Sequence, residues 1–360
     1  MRVLFCGGGT AGHVNPAIAV AQTVMRNSSS NKVAYIATVN GIENQLVDFK
    51  KYQVDVVGLK GGIGNAVVFA IKQARAIEKC KEYIKEFRPD VIFGTGGYAT
   101  YPVIVAGNRL GIKTVIHESN VIPGKAVLSL QKKVDKILVN FEESREHFKC
   151  KEKVIRTGNP LRYECIQYDR NSAKKDLKIK EKYVILCTGG SLGAERINRA
   201  AIEIIDNFIK HRDDVFFIWS TGRQGYEKAL NDLEKRGLSR LKNLMMSDYF
   251  KNMPMLMAAA DVVISRAGAM TISELAFMNK PSILVPSPNV ANNHQRVNAN
   301  ALEKSGAAMV ITEDRLYSIV EAVRDLLADT DARNRLSSKM SEYAVKDANK
   351  KIYNIFKEII

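Results

Sequence analysis

The chain has 360 residues, 46% of them hydrophobic and 26% charged, which excludes a disordered or low-complexity polymer and exceeds one ordinary core. Two domains of roughly 150–180 residues fit that length. The formal net charge of +16 points to an anionic partner, and phosphorylated substrates, an anionic membrane and nucleic acid all qualify. Its basic residues are scattered, with no long run and no aromatic-interleaved strip, which argues against nucleic acid.

The chain opens Met1-Arg2-Val3-Leu4-Phe5-Cys6 and runs straight into glycines, so this segment reads as a first strand and not as a signal peptide. The longest clear apolar run, Ala66–Ile71, is far short of the ~18–20 residues that span a bilayer. Cys6, Cys80, Cys150, Cys165 and Cys187 are odd in number and lack any CxxC pair, which favours reduced thiols over a disulfide frame or zinc.

Short apolar runs alternate with helical stretches throughout. The predicted strands are Val3–Cys6, Val33–Ala37, Val54–Val57, Val91–Phe93, Thr114–Ile116, Lys136–Val139 and Lys153–Arg156. After a hydrophilic passage they resume at Val184–Cys187, Val215–Trp219, Leu244–Met246, Asp261–Ile264, Ser282–Val285 and Ala308–Ile311. Helices are predicted at Pro16–Asn27, Ala66–Glu86, Ala194–Lys210, Met270–Met278 and Gln295–Lys304. Continuous apolar strands are the signature of parallel sheets covered on both faces, so the fold class is α/β. Each half opens with strand, glycine-rich loop and helix, which implies two Rossmann-like, doubly wound domains facing each other across a cleft. The predicted boundaries are 1–161, 162–340 and a last helical stretch, 341–360, that packs back on the first domain.

Gly7-Gly8-Gly9-Thr10-Ala11-Gly12-His13 satisfies the GxGxxG spacing of dinucleotide folds. Such folds place an acid at the end of the second strand, whereas this chain has Thr38-Val39-Asn40 there and its nearest acid, Glu43, beyond Gly41. A nicotinamide cofactor is therefore not expected. His13 falls in the first helical turn, where the positive end of the dipole favours a neutral ring. It reads either as a general base or as a helix-capping histidine. His117-Glu118-Ser119-Asn120 follows a strand, where idle polar groups are costly to bury, and is expected to face the ligand.

Gly189-Gly190-Ser191-Leu192-Gly193 matches the GxSxG nucleophile elbow, but a whole βαβ domain ahead of it favours a second phosphate loop. Residues 266–274, Arg-Ala-Gly-Ala-Met-Thr-Ile-Ser-Glu, join a strand to a helix through a glycine. That geometry aims backbone N–H groups at an anion, with Thr271 and Ser273 as further donors and Glu274 as an acceptor for sugar hydroxyls. An N-capped helix with a surface glutamate is the alternative. Asn292-Asn293-His294-Gln295-Arg296 suits hydroxyl-rich ligands or an ordinary helix-capping loop. Asp329-Thr330-Asp331 has the DxD form of some metal-dependent glycosyltransferases but lies between helices, where aspartates act as caps.

Taken in order, Gly8–His13, Gly94-Thr95-Gly96-Gly97-Tyr98, His117–Asn120, Gly158-Asn159-Pro160-Leu161-Arg162, Gly189–Ala194, residues 266–274 and His294-Gln295 with Asn298-Ala299 resemble the MurG family of membrane-associated UDP-GlcNAc transferases of peptidoglycan synthesis. The resemblance spans the chain. It implies a GT-B fold and inverting transfer of GlcNAc from UDP-GlcNAc to the MurNAc C4 hydroxyl of undecaprenyl-pyrophosphoryl-MurNAc-pentapeptide (lipid I), without a cofactor or a DxD metal. His13 is then the expected base. Thr10, Ala11, Gly12, Asn120, Arg162, Ser191, Phe250, Ala269, Met270, Thr271, Ile272, Ser273, Glu274 and Gln295 are the expected donor-binding residues. Gly97, Tyr98, His117 and Glu118 are expected on the acceptor side. The implied partners are the two substrates, the anionic cytoplasmic membrane surface and other cell-wall synthesis proteins.

Two departures stand out. Ala11 replaces the usual glycine, tolerable only at negative φ, and Ser119 replaces the usual glutamine. Ile63, Val67, Val68 and Phe69 with Lys60 and Lys72 form either a basic, apolar membrane patch or plain helix core. The acceptor-side motifs distinguish this reading from a diacylglycerol glycosyltransferase, a UDP-GlcNAc 2-epimerase or a non-catalytic nucleotide-binding protein.

Overall fold

The computed structural model describes residues 1–360 apart from 57–62, 191 and 291–292, and all their side chains but those of 63–67 and 166. The chain divides into two compact units, Met1–Tyr163 with Val345–Ile360, and Glu164–Ala344. The crossings thus fall after 163 and 344, against the predicted 161 and 340.

The first unit holds seven parallel strands: β1 (Arg2–Cys6), β2 (Lys32–Thr38), β3 (Lys51–Val54), β4 (Val91–Gly94), β5 (Lys113–Glu118), β6 (Lys136–Val139) and β7 (Val154–Arg156). Their order is β3-β2-β1-β4-β5-β6-β7. Side chains alternate between two cores, as the two-residue period of a strand requires. Leu4, Cys6, Ala34, Ile36 and Ile92 point to one face, and Val3, Phe5, Val33, Tyr35, Val91 and Phe93 to the other. Burial on both faces is why these strands read as continuous apolar runs. β3 is the exception. It lies at Lys51–Val54, displaced from the predicted Val54–Val57, because an edge strand buries only one side, Tyr52 and Val54.

The helix Ala348–Ile359 belongs to this unit. Ile352, Ile355 and Phe356 complete the second core, with the Phe356 and Phe93 rings edge to face at 5.3 Å. Asn349 clasps it to the Gly158–Leu161 segment, its Oδ1 accepting from Leu161 N at 3.0 Å and its Nδ2 donating to Leu161 O at 2.9 Å.

The second unit holds β8 (Tyr183–Thr188), β9 (Val215–Ser220), β10 (Leu244–Ser247), β11 (Val262–Ser265), β12 (Ser282–Leu284) and β13 (Met309–Val310). All are parallel, in the order β10-β9-β8-β11-β12-β13. Each sheet reverses direction once, between β1 and β4 in the first unit and between β8 and β11 in the second. Connections on the two sides of such a point diverge, opening a crevice at the strands' carboxyl ends where ligands of doubly wound folds bind. The glycine motifs of both halves fall at these two places.

Candidate active site

In the first unit the loops after β1 and β4 interlock. Gly8 N donates to Gly96 O at 3.3 Å and Thr95 N to Cys6 O at 2.9 Å. Thr10 precedes the helix Ala11–Asn27 in extended conformation (φ −145°, ψ 155°), without a side-chain cap bond. Ala11 is the first helical residue, so its φ is negative and the replaced glycine costs nothing there. Thr10 and Gly12 are exposed, and His13 is half-buried one turn into the helix.

The His13 Nδ1 lies 3.0 Å from Thr95 O. A carbonyl oxygen only accepts, so Nδ1 carries the proton and the lone pair of the neutral ring is on Nε2. Gly96 and Gly97 have φ of +97° and +77°, and a methyl on Gly97 would lie 2.0 Å from the Gly8 carbonyl oxygen. The Tyr98 ring, half-buried, packs beside Gly9.

His117 and Glu118, expected to face the acceptor, are instead buried. His117 Nε2 donates to Gly158 O at 3.1 Å, and burial lowers its pKa to about 4, so the ring is neutral near pH 7. Glu118 Oε1 accepts from Asn120 N and Nδ2 at 2.9 and 3.0 Å, and Oε2 accepts from Gly124 N at 2.8 Å. Both residues brace loops. The signal that placed them at the ligand, polar groups at a strand's carboxyl end, is equally satisfied by bonds to backbone. Asn120 is half-buried, fixed through Glu118. Arg162, also half-buried, lies beside the first crossing between the units, its Nε buried and unpaired.

In the second unit the loop after β11 leads into the helix Ala269–Phe277. Gly268 precedes it in extended conformation and, being a glycine, supplies no side-chain cap of its own, and no acid lies in its first turn. A helix N-terminus presents backbone N–H groups and a partial positive charge. The approach to it is held rigidly: Asn298 Nδ2 donates to Ala267 O at 3.3 Å, and Arg266 pairs with Glu313 at 2.6 Å while reaching Val285 O at 3.2 Å.

Met270, Thr271, Ser273 and Glu274 are half-buried, and the Ala269 side chain is buried. Ile272 stands behind them, inside the unit. Its side chain is buried and its N–H donates to Gly268 O at 2.9 Å, so it braces the turn. The Cys165 thiol donates to Glu274 Oε1 at 3.9 Å.

The glycine loop after β8 turns through Gly193 N to Gly190 O at 3.0 Å, while Ser191 lies outside the described residues. Phe250, half-buried, follows β10, and Gln295 opens the helix His294–Lys304. The Gln295 Oε1 accepts from Ser287 N at 2.9 Å, which turns its amide nitrogen away from that bond. Asn298, Arg266 and Thr95 were not singled out as site residues. Their signal was position, since each sits in or beside a glycine motif with a side chain able to bond backbone.

Asp329 of the DxD accepts from Ala332 N at 2.8 Å and caps the helix Thr330–Ser341. Among the described residues, no group of three or more His, Cys, Asp or Glu is arranged to hold a metal ion.

Comparison with known proteins follows the same division. Residues 3–139 match the glycosyltransferase family 28 N-terminal domain, and residues 184–352 match the family 28 C-terminal domain. A UDP-N-acetylglucosamine--N-acetylmuramyl-(pentapeptide) pyrophosphoryl-undecaprenol N-acetylglucosamine transferase of Caldicellulosiruptor saccharolyticus is 39% identical over 100% of this chain and 98% of its own length. The protein of the same name from Acetivibrio thermocellus is 36% identical over 100% and 98%. The crystal structure of Acinetobacter baumannii MurG superposes with a TM-score of 0.75 over 99% of each chain at 23% identity, a likeness of GT-B fold. With both family 28 domains matched in order and relatives 36–39% identical over the full length of this chain, the chain belongs to the family of UDP-N-acetylglucosamine--N-acetylmuramyl-(pentapeptide) pyrophosphoryl-undecaprenol N-acetylglucosamine transferases.

Proposed function

We propose that this chain is an inverting glycosyltransferase that moves GlcNAc from UDP-GlcNAc to the MurNAc C4 hydroxyl of undecaprenyl-pyrophosphoryl-MurNAc-pentapeptide, the acceptor named in its relatives. The N-terminus of the helix Ala269–Phe277, entered through extended Gly268 with no acid in its first turn, carries the donor half of this reading. Its backbone donors meet the diphosphate, and their positive field stabilises the charge that grows on departing UDP. Glu274, one turn further on, takes the ribose hydroxyls, and the Gln295 amide takes those of GlcNAc.

His13 supplies the chemistry on the acceptor. With its Nδ1 proton held by Thr95 O, Nε2 accepts the C4 hydroxyl proton as the oxygen attacks the anomeric carbon from the face opposite UDP. The attack forms the new glycosidic C–O bond as the bond to the diphosphate breaks, which inverts the anomeric centre. In this reading no metal or cofactor has a role.

The acceptor is lipid-linked, which requires the enzyme to reach a membrane surface. No helix among the described residues is long and apolar enough to cross one. Val68 and Ile71 stand 52% and 48% exposed on the helix Ile63–Phe87, next to Lys72, which pairs with Asp55 at 3.0 Å, and this apolar strip, with the net charge of +16, supports peripheral contact with anionic lipid on the cytoplasmic face.

The test is incubation with labelled UDP-GlcNAc and a lipid-I analogue, following label into lipid. Transfer is expected. Release of free or epimerised sugar with no labelled lipid would overturn the reading.

A further inference from the structure

Glu43 was noted in the sequence only as an acid in the wrong place for a dinucleotide. The structure folds it back under the glycine loop. It opens the short helix Glu43–Leu46 and is fully buried. Its Oε1 accepts from Thr38 N at 2.8 Å and from Thr38 Oγ1 at 2.6 Å, at the carboxyl end of β2. Its Oε2 is buried without a partner. A methyl on Gly8 would lie 2.8 Å from Oε1 and 3.2 Å from Oε2, so the carboxylate is packed directly against that residue.

The opposite side of the loop is closed as tightly. Gly97 lies against the Gly8 carbonyl, and a methyl on Gly96 would meet His13 Nδ1 at 3.0 Å. The Tyr35 hydroxyl donates to Gly7 O at 2.7 Å. The turn that delivers His13 is therefore held between the Glu43 carboxylate and the Gly96–Gly97 backbone.

The orphaned, buried Oε2 costs stability, while the two Thr38 bonds at Oε1 return it, so the two largely offset each other. Stability alone does not account for an acid here. A carboxylate is flat, its Oε1 satisfies two donors at the strand end, and its other edge leaves room for Gly8 and for nothing larger.

We propose that Glu43 is a positioning residue for the transfer reaction: it fixes the Gly7–Gly9 turn, and through it the place of His13. The inference rests on the reading of His13 as the base. The acid nearest the end of β2 is thereby engaged inside the protein, with its Oε1 on Thr38.

The test is steady-state transfer with Glu43→Ala, Glu43→Gln, Gly8→Ala and the double variant Gly8→Ala/Glu43→Ala, each also on a His13→Ala background. Glu43→Ala is expected to lower kcat about tenfold with donor KM held within about twofold, because the base is misplaced while the donor site in the other unit is untouched. Glu43→Gln keeps an acceptor for Thr38 and is expected to stay within about threefold of the parent. Gly8→Ala is expected to lose more than Glu43→Ala, and the double variant to recover kcat above Gly8→Ala alone, since the clash is gone.

On the His13→Ala background the Glu43→Ala loss is expected to shrink to less than about twofold. An undiminished Glu43→Ala loss on that background, or losses at Gly8 and Glu43 that simply multiply, would overturn the inference. If Glu43→Ala does not fold, Thr38→Val removes the 2.6 Å bond and is read by the same criteria. A His13→Ala variant with parental kcat would overturn the reading beneath, and that outcome is visible in the single variant.

Discussion

The two units build their switch points from similar words, strand, glycines and helix, but spend the glycines differently. In the first, the glycines are needed because other groups press on them: Glu43 on Gly8, the Gly8 carbonyl on Gly97, His13 on Gly96. The loop is filled by its own neighbours, and what it presents is a side chain, His13. In the second, Gly189 and Gly193 are pressed in the same way, by Ala194 N at 2.6 Å and Thr221 O at 2.3 Å, but among the described residues a methyl on Gly190 would meet nothing within 4 Å and one on Gly268 only the Thr271 hydroxyl at 3.8 Å. At those two glycines the space is open, and in the proposed function it takes the ligand, with backbone as what is presented. A glycine motif is thus compatible with opposite uses, one fixing a base and one receiving an anion.

Substituting the same residue in both loops would break this comparison most visibly. Gly97→Ala, with a methyl 2.0 Å from a backbone oxygen and φ of +77°, is expected to cost about 3 kcal/mol or more in denaturant unfolding. Gly190→Ala has only its φ of +89° to contend with and should cost about 1–2 kcal/mol. Equal costs would mean that the first loop is no more crowded than the second.

Two buried bases sharpen the contrast through pH. His117 has its pKa lowered from 6.5 to about 4, chiefly by burial, with His13 adding to the fall and the bond to Gly158 opposing it. The unfolded chain takes up a proton near pH 6.5 that the folded chain refuses until about 4, so stability is full above 6.5 and is lost as pH falls to 4. The loss is on the order of 3 kcal/mol and should flatten in His117→Phe.

Lys280 in the second unit is lowered from 10.5 to about 8, again chiefly by burial, while its Nζ donates to Ala258 O and Ala260 O. Stability should therefore rise as pH goes from about 8 to 10.5, and that rise should vanish in Lys280→Met. The smallest expected effect is at Cys165. Losing its long thiol bond to Glu274 in Cys165→Ala should raise donor KM about twofold, measured at saturating acceptor.

Much of this was legible before the fold was known. All thirteen strands were predicted, because parallel strands buried on both faces write themselves as apolar runs, and only the edge strand β3 was displaced. The loop motifs could be placed at strand ends, and His13 in the first turn of its helix. What sequence could not separate was a polar residue that faces a ligand from one that holds a loop. His117 and Glu118 are of the second kind in this fold, with His117 Nε2 bonded to Gly158 O and Glu118 Oε2 accepting from Gly124 N. Glu43 escaped for the converse reason: its partners, Thr38 and Gly8, meet only once β1 and β2 are paired in register.

The central claim is a division of labour, with donor binding in the second unit and acceptor chemistry in the first. It is tested most directly by steady-state transfer kinetics of His13→Ala and Glu274→Ala with the donor varied. The account predicts that His13→Ala lowers kcat by about 10²–10⁴-fold with donor KM nearly unchanged, and that Glu274→Ala raises donor KM at least about tenfold with a smaller change in kcat. An unchanged donor KM in Glu274→Ala, together with an unchanged kcat in His13→Ala, would contradict it.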